Sequence, residues 1–509
     1  MFAARSKNKK EERTTFIAYE RLASVAVNIT VSNVSAWLRR SQTCIASIAS
    51  VKSPFLFFGT GDAKPHERNI ARCFFVLVVL AGCPDVHAQD KVYARKVIDT
   101  LASRGMHGRG YVNNGHLIAS DYISNEFRSF GLLSFEKSGS YFQEFNFPVN
   151  TFPGKVEATF EFADGKKEKC LPGDKFLVRS SSPSVKGCYK IVRLDAAVVS
   201  SDSRWNEFMA RNHKKEFVLV DTAGVRDKAQ LTKLTNFVKY PPTVKGILLP
   251  VVLTHIEGSE NCSKLTPWDF STYQSTVPVL EIDPSLATAT KIDVNIGAKM
   301  LSNVQSRNVV GYVRGSEQPD SFIVFTAHYD HLGRMGAQVY FPGANDNASG
   351  VAMMLNLAKY YSSPEHTPKY SIVFIAFGAE EVGLIGSAYF VIHPLVPLPR
   401  IHFLINMDIL GTGDEGITVV NSTLYNNEFV KLKQLNDTNH YLPLVKPRGK
   451  AAISDHHFFT EKGVPCFYIY TLGGIKAYHD TCDKPGTLPL TEYDDLFRLL
   501  TDFTSWLQE

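Results

Sequence analysis

"YSIVFIAFGAEEVGLIGSAYF" (residues 370–390) opens with an apolar run of strand length, Tyr370–Phe377, and then sets two glutamates side by side, Glu380 and Glu381. A short, continuous apolar run reads as a strand buried on both faces. Neighbouring carboxylates repel each other, and at the end of a buried strand that repulsion is poorly screened. The pair is therefore either solvated in a loop or held by a nearby cation.

The flanking chain repeats the pattern. Apolar strands are expected at "SFIVFTA" (321–327), "IHFLINM" (401–407) and "VPCFYIYT" (464–471), alternating with helical patterns. In "NASGVAMMLNLAKYY", Val351, Met354, Leu355 and Ala358 fall at the spacing of one helix face, which is core packing rather than a cofactor box. Strands alternating with helices predict an α/β fold: a mixed, mainly parallel sheet flanked by helices. Residues 90–135 read as helical, with Ile118, Tyr122, Phe127 and Phe130 near one face and a stop at Gly131. Short alternating runs such as "KVEATFEFADGKK" and "STVPVLEIDP" then predict a β-rich inserted domain. The expected division is 90–139 and 296–509 for the main domain and 140–295 for the insertion.

In open α/β sheets, ligands bind beyond the carboxyl ends of the strands. There the sequence places "TAHYDHLG" (His328, Asp330, His331), "GAEE" (Glu380, Glu381), "NMDILG" (Asp408) and "AYHDTCDK" (Tyr478, His479, Asp480), with Asp346 in "GANDNASG" just before the stripe helix. A lone Asp at such a place is more often a helix cap, and a lone His more often a packed or surface residue. Together, all four expected strands end in imidazole or carboxylate groups. Such a sheet end repels itself unless cations neutralise it, and imidazole with carboxylate, without thiolate, suits zinc or a similar divalent metal.

These segments resemble the co-catalytic di-zinc exopeptidases of the leucyl aminopeptidase and aminopeptidase Y type, relatives of glutamate carboxypeptidase, transferrin receptor and glutaminyl cyclase. The resemblance covers about residues 305–490, with HxD, Asp-Asn, Glu-Glu, NxD and a late YHD in family order. The β-rich middle resembles a protease-associated domain. The resemblance implies two Zn2+ ions, one held by His328 and Asp408, the other by Glu381 and His479, with Asp346 bridging. It implies Glu380 as general base, Asp330 as the residue orienting His328, Tyr478 as oxyanion stabiliser and often a cis Asp346–Asn347 peptide. In "SDHHFF", Asp455 and His456 line or support the site; His331 and Asp480 receive no role.

Composition is that of a globular protein, 44% hydrophobic and 21% charged. The net charge of +5 is concentrated early: residues 1–72 carry 12 Lys and Arg against 5 Asp and Glu. The remaining chain is near neutral, which argues against a nucleic-acid partner. "ERNIARCFFVLVVLAGCPDVHAQD" has the form of a secretory signal, with the apolar stretch Cys73–Gly82 too short to span a bilayer. The signal is placed at about 66–88, and residues 1–65 are expected to be a dispensable extension or a mis-assigned start. Two readings stand: "LAGC" with Cys83 as lipid anchor, or cleavage after "VHA" at Ala88. Either predicts an exported protein, secreted, periplasmic or lipid-anchored. Among eight cysteines, Cys170/Cys188 and Cys466/Cys482 are expected as local pairs with Cys262 odd, unless the thiols are buried and unpaired.

The leading expectation is an exported zinc aminopeptidase acting on the N-termini of peptides by metal-activated water. A glutaminyl cyclase or a carboxypeptidase of the same family, or a receptor-like binding protein, are the alternatives. The complete ligand set disfavours the single-metal cyclase, and no arginine cluster near the motifs suggests a carboxylate pocket.

Overall fold

The computed structural model describes residues 91–251 and 268–509, with two short strand pieces, Thr254–His255 and Ser263–Lys264, between them. The signal-like stretch, Cys83, Ala88 and Cys262 lie outside the described residues.

An eight-stranded mixed sheet carries the four expected strands at its centre. In spatial order they are Tyr370–Phe377, Gln318–His328, Ile401–Met407 and Cys466–Thr471, each parallel to its neighbour. Antiparallel strands close both sides: Lys299–Val313 and Phe142–Thr151 on one, Ile417–Val420 on the other, with Val445–Arg448 beyond it.

The apolar runs are continuous because both faces are covered. Ile323, Phe325, Ile372 and Phe374 pack into one core with helices Lys91–Leu101, Gly115–Ser129, Gly350–Ser362 and Tyr493–Trp506. Phe322, Val324, Val373 and Ile375 pack on the other face against Phe390 and Phe459, from helices Ile385–Ile392 and His456–Glu461. The alternation is the period of two that a strand imposes. Each fully buried Phe, Leu or Ile in these layers contributes about 1.5–3 kcal/mol. The stripe Val351, Met354, Leu355 and Ala358 is wholly buried, as its spacing predicts.

Helix Gly115–Ser129 corrects one expectation. Ile118 is exposed, and the buried face runs through Ala119, Ile123 and Phe127. The chain leaves this helix through Gly131, whose φ of 76° is a left-handed turn that glycine adopts without steric cost.

A second eight-stranded sheet is built from strands between Val156 and Ile296. It is richer in helix than its sequence texture suggests. Strands Val185–Leu194, His213–Val220, Val244–Pro250 and Val279–Ile282 run parallel, with helices Asp202–Ala210 and Lys228–Lys239 in their connections. These helices bury only Phe208, and Leu234 with Phe237, so they carry a faint apolar period; side chains of Ser201 and Asp227 cap their first turns.

The expected cysteine pairs do not form. Cys170, Cys188 and Cys466 are free, and Cys482 is in a disulfide whose partner lies outside the described residues. No described helix is long and apolar enough to cross a membrane.

Candidate metal centre

The parallel strands deliver their last residues to one end of the sheet. His328 closes its strand, Glu380 and Glu381 follow Phe377, and Asp408 follows Met407. Asp346 sits in the irregular turn Ala344–Ser349 ahead of helix Gly350–Ser362, with a cis Asp346–Asn347 peptide. His479 lies in the loop after Thr471. Three residues at these corners, Ala379, Ile409 and His479, have φ of 59°, 61° and 53°. Non-glycine residues hold such values only where the surroundings enforce them.

The five residues expected as metal ligands meet. His328 Nε2 is 3.2 Å from Asp346 Oδ1 and 3.3 Å from Asp408 Oδ1. His479 Nε2 is 3.1 Å from Asp346 Oδ2 and 3.0 Å from Glu381 Oε2. Asp346 thus lies between two imidazoles, each also facing a second carboxylate. Glu380 belongs to the same cluster, with ligand-type atoms of His328, Glu380 and Glu381 all within 4.8 Å of one another.

The donor set fits divalent cations. Both imidazoles spend Nδ1–H on main-chain carbonyls, His328 on Asp330 (3.2 Å) and His479 on Trp268 (2.7 Å). That tautomer leaves each Nε2 lone pair aimed at carboxylate oxygens. Asp346 Oδ2 is buried and has no hydrogen-bond partner among the described residues. Lone pairs converging without hydrogens between them are repulsive unless a cation joins them. The electrostatics agree: burial opposes protonation of both imidazoles, yet Asp408 and Glu380 around His328, and Glu381 and Asp346 around His479, raise them well above the usual histidine range. The cluster is short of positive charge.

Further contacts hold these groups in place. Ser454 donates to Asp408 Oδ2 (3.0 Å) and itself accepts from Asn406, which is held by Thr326. Asp483 accepts the N–H groups of Asn345 (2.8 Å) and Asp346 (2.9 Å); burial pushes its carboxyl up to about 7. The Asp330 carboxylate is 4.0 Å from His328 Nδ1 and instead accepts from Glu380 N–H (3.0 Å) and Tyr111 O–H (3.2 Å). Tyr478 stacks on His479, ring centroids 4.0 Å apart. Asp455 is buried behind the cluster, and burial pushes it up to about 7. Asp480 caps its own loop, accepting from the N–H groups of Tyr478 and Cys482.

Two participants had no signal in the sequence. The buried guanidinium of Arg109 donates to the carbonyls of Tyr329, Leu101, Pro342, Gly343 and Asp346, tying the His328 loop to the Asp346 loop. Trp268 reaches His479 through its main chain, which no side-chain motif can reveal.

The fold is shared with solved aminopeptidases. An aminopeptidase from Aneurinibacillus sp. strain AM-1 superposes with a TM-score of 0.54 at 19% identity, covering 83% of this chain and 94% of that one. BSAP, a zinc aminopeptidase from Bacillus subtilis, gives 0.54 at 19% identity, over 81% and 93%. Residues 308–504 match the model of peptidase family M28. In sequence the chain is 34% identical over 162 residues to aminopeptidase YwaD of Bacillus subtilis, covering 31% of this chain and 34% of the relative. It is 34% identical over 157 residues to a glutamate carboxypeptidase 2 homolog of Caenorhabditis elegans, covering 29% and 19%. A protein of Pyricularia oryzae described as a probable zinc metalloprotease is 34% identical over 125 residues, covering 24% of each chain. The matches thus span about a third or less of these relatives.

Proposed function

We propose that this protein is a zinc aminopeptidase that hydrolyses the N-terminal peptide bond of peptides. The observation that carries the reading is Asp346 between His328 and His479, with Asp408 and Glu381 completing two adjoining donor sets. Two zinc ions held there, one by His328 and Asp408 and one by Glu381 and His479, with Asp346 shared, would supply positive charge and Lewis-acid polarisation to the scissile carbonyl.

The protein's own groups divide the remaining work. Glu380 takes the proton of the attacking water and returns it to the leaving amine. Burial, with Glu381, Asp455 and Asp408 nearby, raises its carboxyl well above the usual range against the pull of His328, which suits a group that must hold and release a proton. Its neighbour Glu381 is held down to about 2 by His479 and His331 despite burial, so it stays ionised for a cation. The two adjacent carboxylates thereby do different jobs. Tyr478 donates its O–H to the developing oxyanion. Asp330 fixes the Glu380 main chain through the bond to its N–H.

The segment 140–295 is read as a protease-associated domain, and the stretch from about 66 to 88 as an export signal ending in lipidation at Cys83 or cleavage after Ala88. Hydrolysis of free-amine and N-blocked aminoacyl anilides by the purified full chain, with and without chelator, tests the function. Chelator-sensitive cleavage of the free-amine substrates alone is expected. Cleavage of blocked substrates, or none by zinc-loaded protein, overturns it.

A further inference from the structure

His331, the residue after Asp330, is completely buried, and neither the ligand set nor the proton relay uses it. Its Nδ1 stands 2.6 Å from Glu381 Oε1, at hydrogen-bond distance. A carboxylate oxygen only accepts, so the hydrogen sits on Nδ1. The same Glu381 turns Oε2 to His479 Nε2 at 3.0 Å. One oxygen is therefore occupied by His331 and the other faces the site.

The ring has a fixed seat. A Cβ on Gly343 would lie 2.3 Å from the Asp346 carbonyl oxygen, 2.4 Å from His331 Cδ2 and 2.5 Å from Cγ, so the absence of a side chain there makes room for both the Asp346 main chain and the imidazole. The main-chain N–H of His331 points at the Arg109 carbonyl (3.4 Å), and Arg109 in turn holds the Gly343 carbonyl (2.8 Å). The other ring nitrogen, Nε2, has no hydrogen-bond partner among the described residues. Leaving a buried polar atom unpaired is destabilising, so the ring's contribution lies in what Nδ1 does. His331, Asp346 and Glu381 also offer ligand-type atoms within 4.8 Å of one another, which poses the alternative that His331 is itself a ligand. The Nδ1 hydrogen removes that nitrogen from ligation.

We propose that His331 is a positioning residue: its Nδ1–H pins Oε1 of Glu381 so that Oε2 alone is presented to the zinc position shared with His479 and Asp346. The inference rests on the zinc reading above and deepens it. It makes a specific demand on the side chain at 331. Asparagine places an N–H donor close to where Nδ1 stands; glutamine places one nearer Nε2.

The test is zinc binding by the full chain, measured as metal content after dialysis and as affinity by competition with a chromophoric chelator, with thermal unfolding alongside. His331→Ala is expected to weaken the second zinc by about tenfold or more, the usual effect of losing a partner that orients a ligand. His331→Asn restores it to within about threefold of wild type, and His331→Gln does not. If His331→Ala fails to fold, the Asn and Gln variants still decide. Two zinc ions bound equally well by both, or an alanine variant with wild-type affinity, overturns the proposal. An Asn variant as defective as Ala, at unchanged thermal stability, also overturns it and marks Nε2 as a ligand. Wild-type protein that binds no zinc removes the metal reading itself, and this inference with it.

Discussion

Asp346 Oδ2 stands 3.1 Å from His479 Nε2, yet it forms no hydrogen bond among the described residues. Its other oxygen is 3.2 Å from His328 Nε2. An anion so placed between two imidazoles, whose own hydrogens are directed at carbonyls, is suited to share two cations. Asp346→Ala removes the shared group, and both imidazoles lose the carboxylate opposite them. Zinc content is expected to fall from two per chain to one or fewer, with an activity loss beyond the about 10–100-fold that outer partners cost. Metal analysis of the dialysed variant checks it, and two zinc ions at full occupancy would contradict the assignment.

Glu380 differs from its neighbour in one respect that matters for mutation: its proposed task is to carry a proton rather than to hold a metal. Glu380→Gln keeps shape and main chain, including the N–H held by Asp330 at 3.0 Å. Turnover is expected to drop about 10²–10⁴-fold, the range for a lost general acid–base, with two zinc ions retained. Paired turnover and zinc measurements on one preparation decide; a near-wild-type rate excludes Glu380 as base.

Tyr478 is 41% exposed and lies flat against His479, so its ring can pack while its hydroxyl works. Tyr478→Phe preserves the stack and deletes the hydroxyl. The expected result is a kcat lowered about 10²–10³-fold, as for one oxyanion donor, with KM and zinc content little changed. Steady-state kinetics at saturating zinc measure it, and an unchanged kcat returns the residue to packing.

The parts of this fold legible in sequence are those where one local property suffices. Continuous apolar runs announce strands covered on both faces, and all four expected strands are the parallel centre of the sheet. Polar residues at the ends of those runs announce the site, because strand ends share one edge. Ile118 is exposed despite its spacing, because a helix with apolar residues on several sides does not say which side meets the core. Helices Asp202–Ala210 and Lys228–Lys239 bury too little to leave a period. Cys170 and Cys188, though near in sequence, stay unbridged, because nearness in sequence is not nearness in space. Arg109, Trp268 and the Glu381 contact of His331 depend on distant segments meeting, and two of them act on or through the main chain, where side-chain identity carries no message.

His456 supplies a pH dependence separate from catalysis. It is 1% exposed, its Nε2–H donates to the Ala451 carbonyl at 2.9 Å, and its ring lies against Tyr468. Burial pushes its pKa down to about 3, so the native state keeps the ring neutral while the unfolded chain takes up a proton below about 6.5. Below that pH the unfolded state binds more protons, and stability falls as pH falls. The contribution is whole above about pH 6.5 and is lost progressively toward pH 3. Between pH 7.5 and pH 5 the loss from this residue is about 2 kcal/mol. His456→Gln cannot titrate there, so it should lose less stability over the same interval by about that amount. Urea unfolding of both proteins at pH 7.5 and 5, at matched zinc loading, reads the difference directly. Equal losses would mean that the ring gains a compensating partner when protonated, with the unpaired Nδ1 as the atom to make it.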